Sequence, residues 1–255
     1  MTRINMLLLL LFTVTIPAQN NAIAAGEKLT YTASYSMSGV LTDLAQVTME
    51  TSAVKTSKAT LLRLKCTAAT YSKWDNFFKI RDLYESYVNP KTLTPYLYNR
   101  NINEGSYFKK MKYTFSHKSK TVKSVQTKKN NYVENKNVAI KSGTKDIIST
   151  LYSLRVFDYS TMFNGQTKTF TILFDRKEVK GQITYLGKET ISTKIGNKEC
   201  YKLAIGSNET NALQGKNSNF LWLTADKNKI PVYGKFKIPV GNGELKIKSA
   251  TGLKN

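Results

Sequence analysis

From Leu29 onward the chain alternates. Leu29, Tyr31, Ala33, Tyr35 and Met37 share one parity, with Thr30, Thr32, Ser34, Ser36 and Ser38 on the other, the period-two signature of a strand with one face on a core and one in water. The same alternation returns through Ala45, Val47 and Met49, through Leu62, Leu64 and Cys66, and through Tyr96, Tyr98, Arg100 and Ile102. Turn chemistry separates such runs: Asn89-Pro90-Lys91-Thr92 has the residues of a type I turn, and Gly196-Asn197, Asp226 to Lys229 and Asn242-Gly243 are hairpin signals. In the Lys-rich stretch that follows Ser106, Met111, Tyr113 and Phe115 still alternate with polar residues, which predicts a strand with a cationic outer face and then a polar loop or ragged hairpin. One segment breaks the rule. Ile147, Ile148, Leu151, Tyr152 and Leu154 recur at helical spacing behind Thr144 and Asp146, either of which suits an N-cap. A helix this short is marginal alone in water, so its apolar stripe must dock on a sheet. The expected fold is all-β and mainly antiparallel: a single strongly curved sheet or open β-barrel, with one amphipathic helix near residues 145 to 156 packed on its inner side.

The N-terminal residues follow a different logic. Arg3, an apolar run from Met6 to Ile16, Pro17 and the small-x-small triplet Ala22-Ile23-Ala24 have the layout of a secretory signal. The run is shorter than the roughly 20 apolar residues of a membrane helix. The expected organisation is therefore a cleavable signal peptide over 1–25 and a single mostly-β domain over 26–255, exported and periplasmic. No Cys follows the cleavage region to carry a lipid anchor, and no later segment reads as a transmembrane helix. Cys66 and Cys200 are the only cysteines; an exported chain permits one disulfide between them, and the sequence leaves that pairing open, as it does the oligomeric state.

Charge bears on partners. The chain has 39 Lys and Arg against 17 Asp and Glu, a formal net charge of +22, which speaks for anionic partners rather than for a fold. Export and the absence of a recognition motif argue against nucleic acid. Anionic envelope polymers, glycolipid or phospholipid headgroups fit a Lys-rich face better. His117 is the only histidine and lies among lysines, a setting that disfavours a poised base. One His and two distant Cys make no metal site, and neither a nucleophile elbow, a P-loop nor a Rossmann glycine fingerprint occurs, so no cofactor is expected and an enzyme is the minority reading.

The loudest charged clusters have quiet explanations. Asp226 sits where a turn wants a short polar side chain. In "FFKIRDLYESYV", alternation puts Asp82 on the apolar face with Phe78, Ile80, Tyr84 and Val88, where a carboxylate must find a partner or take up a proton; Arg100, returning across the hairpin, is the expected partner. Glu85 falls on the opposite parity, which weakens a hydrolase built on Asp82, Glu85 and Glu104. The function expected from these residues is noncatalytic binding of an apolar or lipid-like ligand between sheet and helix. Its lining would come from Tyr31, Tyr35, Phe78, Ile80, Asp82, Tyr84, Tyr96, Tyr98, Arg100, Trp222 and Phe236. The alternative is a structural or interaction protein whose Lys-rich face binds anionic envelope material.

Several stretches also carry a resemblance. "GEKLTYTASY", the run from "CTAATYSKWDNFFKIRDLYESYVNPKTLTPYLYNR" to "KKMKYTF", "DIISTLYSLRVFDY", "ITYLGKETISTKIGNKECYKLAI" and "FLWLTADKNKIPVYGKF" together resemble the exported bacterial family catalogued as domain of unknown function 3108, of Bacteroides-type organisms. The resemblance spans nearly all of the chain after the signal and brings no catalytic motif. The order of elements is also similar, in architecture only, to the half-barrel periplasmic lipoprotein carriers, and such likeness does not give function.

Overall fold

A computed structural model describes residues 19–37, 40–207, 219–238 and 241–255; the signal-like run from Met6 to Pro17 lies outside them. Fourteen strands form one antiparallel sheet. In chain order they are β1 (Lys28–Met37), β2 (Val40–Lys55), β3 (Thr60–Thr70), β4 (Arg81–Val88), β5 (Pro95–Glu104), β6 (Tyr107–Ser116), β7 (Thr121–Lys128) and β8 (Val133–Ala139), then, after the helix α1 (Ile147–Ser153), β9 (Thr167–Phe174), β10 (Lys177–Thr193), β11 (Gly196–Ser207), β12 (Asn219–Thr224), β13 (Pro231–Ile238) and β14 (Gly241–Thr251). Each half is a meander, and β1 pairs with β14 to join the halves, giving the spatial order β8 to β1 followed by β14 to β9. The sheet is not closed, since β8 and β9 are its two edges.

The expected helix forms where its periodicity places it. Asp146 caps it, accepting from the Ser149 N–H at 2.8 Å, and its other carboxylate oxygen accepts from the Ser86 hydroxyl of β4 at 2.6 Å. A 3₁₀ turn, Leu154–Val156, continues it. The stripe docks as predicted. Ile148 and Tyr152 join a core with Leu29, Tyr31, Leu64, Val88, Tyr98 and Tyr113, while Leu154 joins a second cluster with Tyr159, Tyr185, Leu203, Leu221 and Leu223. The helix and its 3₁₀ turn are thus wedged between the inner faces of the two halves. Burying side chains such as these is worth about 1.5–3 kcal/mol each, which offsets the poor stability of so short a helix.

Two expectations are corrected. The segment after Phe115 is no ragged loop: β6 and β7 form a regular ladder from Lys109↔Lys128 to Ser116↔Thr121. Asn242 and Gly243 lie inside β14, paired with Lys237 and Phe236, rather than in a turn. Residues just upstream of 26 pack against the body. Ala22 and Ile23 are buried in the first core cluster, and Asn20 bonds through its side chain to the Pro90 and Ile23 carbonyls, both at 2.9 Å. An apolar pair that reads as part of a cleavage motif therefore also serves as core. Cys66 and Cys200 are free thiols; the ladders put them on opposite faces of the sheet, Cys66 with Tyr84 and Cys200 with Glu189.

Candidate functional site

Three polar stations interrupt the core on the side of α1. The deepest is Arg155, fully buried against an equally buried Glu27, with Nη1 and Nη2 donating to the two carboxylate oxygens at 2.6 and 2.7 Å. Arg155 also donates to the carbonyls of Asn228 and Ala22. Each guanidinium nitrogen has an acceptor, so the pair fastens the start of β1, the helix end and the β12–β13 turn, and offers little to a ligand.

The second station sits under the β9–β10 turn, whose Asp175 and Arg176 reach across to the inner face of β5 to β8. Arg100 and Lys109 both bind Asp175, Lys109 at 2.8 Å, and Arg176 binds Glu134 at 2.8 Å while its backbone N–H donates to the Tyr113 hydroxyl at 2.9 Å. Burial raises the Asp175 carboxyl, and the two cations outweigh it, holding it below its ordinary range. Arg100 is therefore not the partner of Asp82. The third station is Asp82 itself, which is buried, accepts from the Asn103 N–H at 2.9 Å and neighbours Glu104. Burial first, and then the neighbouring Asp82, push the Glu104 carboxyl up. Glu85 points to the other face and binds Arg63, so the three carboxylates do not converge. No cluster of three metal-ligating side chains forms among the described residues.

The eleven expected lining residues do not share one wall. Tyr31 and Tyr98 are core, and the Tyr31 hydroxyl donates to the Pro231 carbonyl at 2.9 Å. Half-buried Tyr84 stands between Cys66 and Arg100 in the ladder, as parity requires. Ile80 pairs with Glu104 in an isolated bridge. Phe78 and Tyr96 were expected inside and are outside, 52% and 42% exposed. Phe78 precedes β4 and lies against Gly105, while Tyr96, at the start of β5, meets His117 edge-on. Trp222 pairs with Tyr233 and Lys202 on the face away from α1, and Leu221 and Leu223 take the inner side. Phe236 keeps the parity of Tyr35, both paired with Gly243, and so cannot share a wall with Trp222.

What the chain does build is a groove on that outer face. The β10–β11 hairpin runs past its neighbours: its register shifts between Tyr185 and Lys188, around Gly187 at φ 97°, and beyond the shift it curls back over β13 and β14. Glu189 holds the bend by accepting from the Trp222 indole at 2.5 Å, and Trp222 stacks on Tyr233 with ring centroids 4.8 Å apart. Between hairpin and sheet lies a half-open groove of about 310 Å³ in which Ile191 and the Tyr233 ring are the partly exposed apolar side chains, Thr32, Ser34 and Asp43 lie beside them, and Lys194 and Lys246 are the cations, Lys246 also binding Glu244 at 2.8 Å; Val232 and Ile247 belong to the core beneath it. Sequence reasoning missed it because a bend in a hairpin is a tertiary event. The available signal was Gly187 inside an otherwise regular strand pattern.

The family model for proteins of unknown function DUF3108 matches residues 30–248. The chain belongs to that family. Comparison with curated proteins finds no match. Among solved structures, a β-barrel-like DUF1849 protein from Brucella abortus is similar with a TM-score of 0.57 at 7% identity, covering 88% of this chain and 96% of its own. That likeness shows the fold alone, an open barrel-like sheet. A candidate exported protein of Bacteroides fragilis with a YmcC-like fold matches with a TM-score of 0.36 at 9% identity over 89% of this chain and 96% of its own. The family thus supplies a fold and no activity. Among the described residues no helix is long and apolar enough to cross a membrane.

Proposed function

We propose that this DUF3108 protein is a noncatalytic binding protein of the cell envelope that holds a small amphiphile in the groove beneath the β10–β11 hairpin. The observation that carries the reading is the groove's two-sided chemistry: the Ile191 side chain and the Tyr233 ring, with the ammonium groups of Lys194 and Lys246 beside them. Apolar surface with a few placed polar groups is the general design of a small-ligand site, and about 300 Å³ is at the small end of such sites. A lipid-like molecule with one short apolar segment and an anionic group satisfies both halves. The helix side is the poorer candidate because its stations are bonded to one another. Export to the periplasm rests on the leader-like pattern from Arg3 to Ala24.

Native mass spectrometry with dodecanoate as probe tests this reading on the chain from Gln19. A one-to-one adduct is expected, weakened about tenfold when Tyr233→Ala and Lys246→Gln are combined, because each loses part of one half of the contact. An adduct of unchanged strength in that variant, or none in the parent, overturns the groove as the site.

A further inference from the structure

A second feature lies apart from the groove. Strands β1 to β8 are consecutive neighbours, so the β1–β2, β3–β4, β5–β6 and β7–β8 connections stand side by side along one end of the sheet. Among the described residues nine large hydrophobic side chains are exposed, and seven of them belong to these four connections: Val40 and Leu41, Phe77 and Phe78, Tyr107, and Tyr132 with Val133. The other two, Tyr96 and Phe163, lie at the opposite end. Scattered exposed apolar residues are ordinary, but a concentration at one end of a domain marks an interaction surface.

Cations are interleaved with these side chains. Lys73 lies over the Trp74 ring at 5.5 Å, Lys110 over Phe108 at 5.3 Å and Lys128 over Tyr132 at 5.9 Å. Two acids of the same connections are already engaged, Asp75 by Arg81 and Glu134 by Lys128 and Arg176, and burial beside Asp82 pushes the Glu104 carboxyl up, towards its neutral form. Lys79 and Lys129 make no ion pair among the described residues, which leaves the rim cationic. Between the β5–β6 and β7–β8 turns a notch of about 230 Å³ is lined by Tyr107, Phe108, Lys109, Lys128 and Lys129.

We infer that this end of the sheet docks on an anionic phospholipid bilayer, with the aromatic side chains at the headgroup level and the notch seating a phosphate. Aromatic rings favour the membrane interface, and lysine stems lie along apolar surface while their ammonium groups reach anionic headgroups. A second copy of this chain fits worse, because the same lysines would face each other. A soluble acidic polymer would use the lysines and leave Phe77, which is 81% exposed, and Val40, 70% exposed, in water. The inference goes beyond the groove and does not depend on it.

Sedimentation of the chain from Gln19 with phospholipid vesicles tests it. Binding is expected to vesicles containing phosphatidylglycerol, to weaken as salt rises, and to be far lower on phosphatidylcholine alone. The double variant Phe77→Ser with Tyr132→Ser should lose about tenfold in partitioning with its thermal unfolding unchanged, since both side chains are exposed. Lys79→Gln with Lys129→Gln should flatten the salt dependence, and Phe163→Ser at the other end should change nothing. Absence of vesicle binding, binding indifferent to the rim variants, or rim-dependent dimers in light scattering would each overturn the inference. Tyr233→Ala with Lys246→Gln should leave vesicle binding intact, so the two proposals fail separately.

Discussion

The two ends of the sheet are built to opposite specifications. At one end the chain closes on itself. The N-terminal segment, the last residues, the helix end and the β12–β13 turn meet around Arg155 and Glu27, and Asn255 bonds to both Asn228 and Asn21. At the other end the connections stand free and carry seven exposed hydrophobic side chains. Both ends contain an Arg–carboxylate contact. Glu27 is wholly buried, whereas Asp175 is 45% exposed. The same chemical pair thus does different work according to how much water reaches it: one pins the fold shut and the other tethers a hairpin turn over an open mouth.

Breaking each pair should expose that difference. Glu27→Ala leaves Arg155 charged in a site without water, and loss of about 3–5 kcal/mol of unfolding free energy is expected in chemical denaturation. Glu27→Gln should recover part of it, because an amide still accepts one of the two guanidinium bonds. Asp175→Asn should cost much less, about 1 kcal/mol, because its carboxylate is half in solvent and screened. Equal losses in the two variants would mean that the open end is as tightly sealed as the closed one, and the contrast between the ends would fall.

The sequence made the closed end only partly legible. Alternation gave the strands, and the spacing of Ile147, Ile148, Leu151 and Tyr152 gave a helix in its observed place, because both signals are local and obey the geometry of one element. Asp226 likewise behaves as local turn chemistry predicts, accepting from the Asn228 and Lys229 N–H groups at 2.9 Å. Arg155 was invisible as an anchor: it stands just past the helix, and its partner Glu27 is 128 residues away in sequence. Arg100 was assigned to Asp82 by ladder proximity, but the turn that supplies Asp175 comes from the far half of the sheet. Phe78 and Tyr96 misled because parity holds only within a regular strand: the first precedes β4, and the second is the extra residue where the β4–β5 register shifts between Tyr87 and Val88. Trp222 was assigned to an inward strand face; Leu221 and Leu223 take that face, and the curling hairpin gives Trp222 burial on the outer one. The groove and the rim share that cause, since each depends on where separate hairpins end in space.

Titration gives the smallest and sharpest contrast. At the closed end the Lys145 ammonium donates to the Leu93 and Thr92 carbonyls at 2.6 and 3.3 Å, and burial, only partly offset by Asp146, pushes its pKa down to about 8. The unfolded chain then binds more protons than the folded one between that value and the ordinary 10.5, so this group makes stability rise with pH across that window. At the open end Glu104 has the opposite sign. Its folded pKa lies above the ordinary 4.5 through burial and Asp82, so the folded chain holds the extra proton, and the stability this contributes is full below 4.5 and lost as pH rises through the folded value. Unfolding free energy measured across pH should therefore lose its alkaline rise in Lys145→Gln and flatten on the acidic side in Glu104→Gln, each variant leaving the other limb intact. If Glu104→Gln instead left the acidic limb unchanged, Glu104 would be ionised in the folded chain and would add negative charge beneath the cationic rim. That result would also predict weaker vesicle binding as pH rises, with the lysines still fully charged.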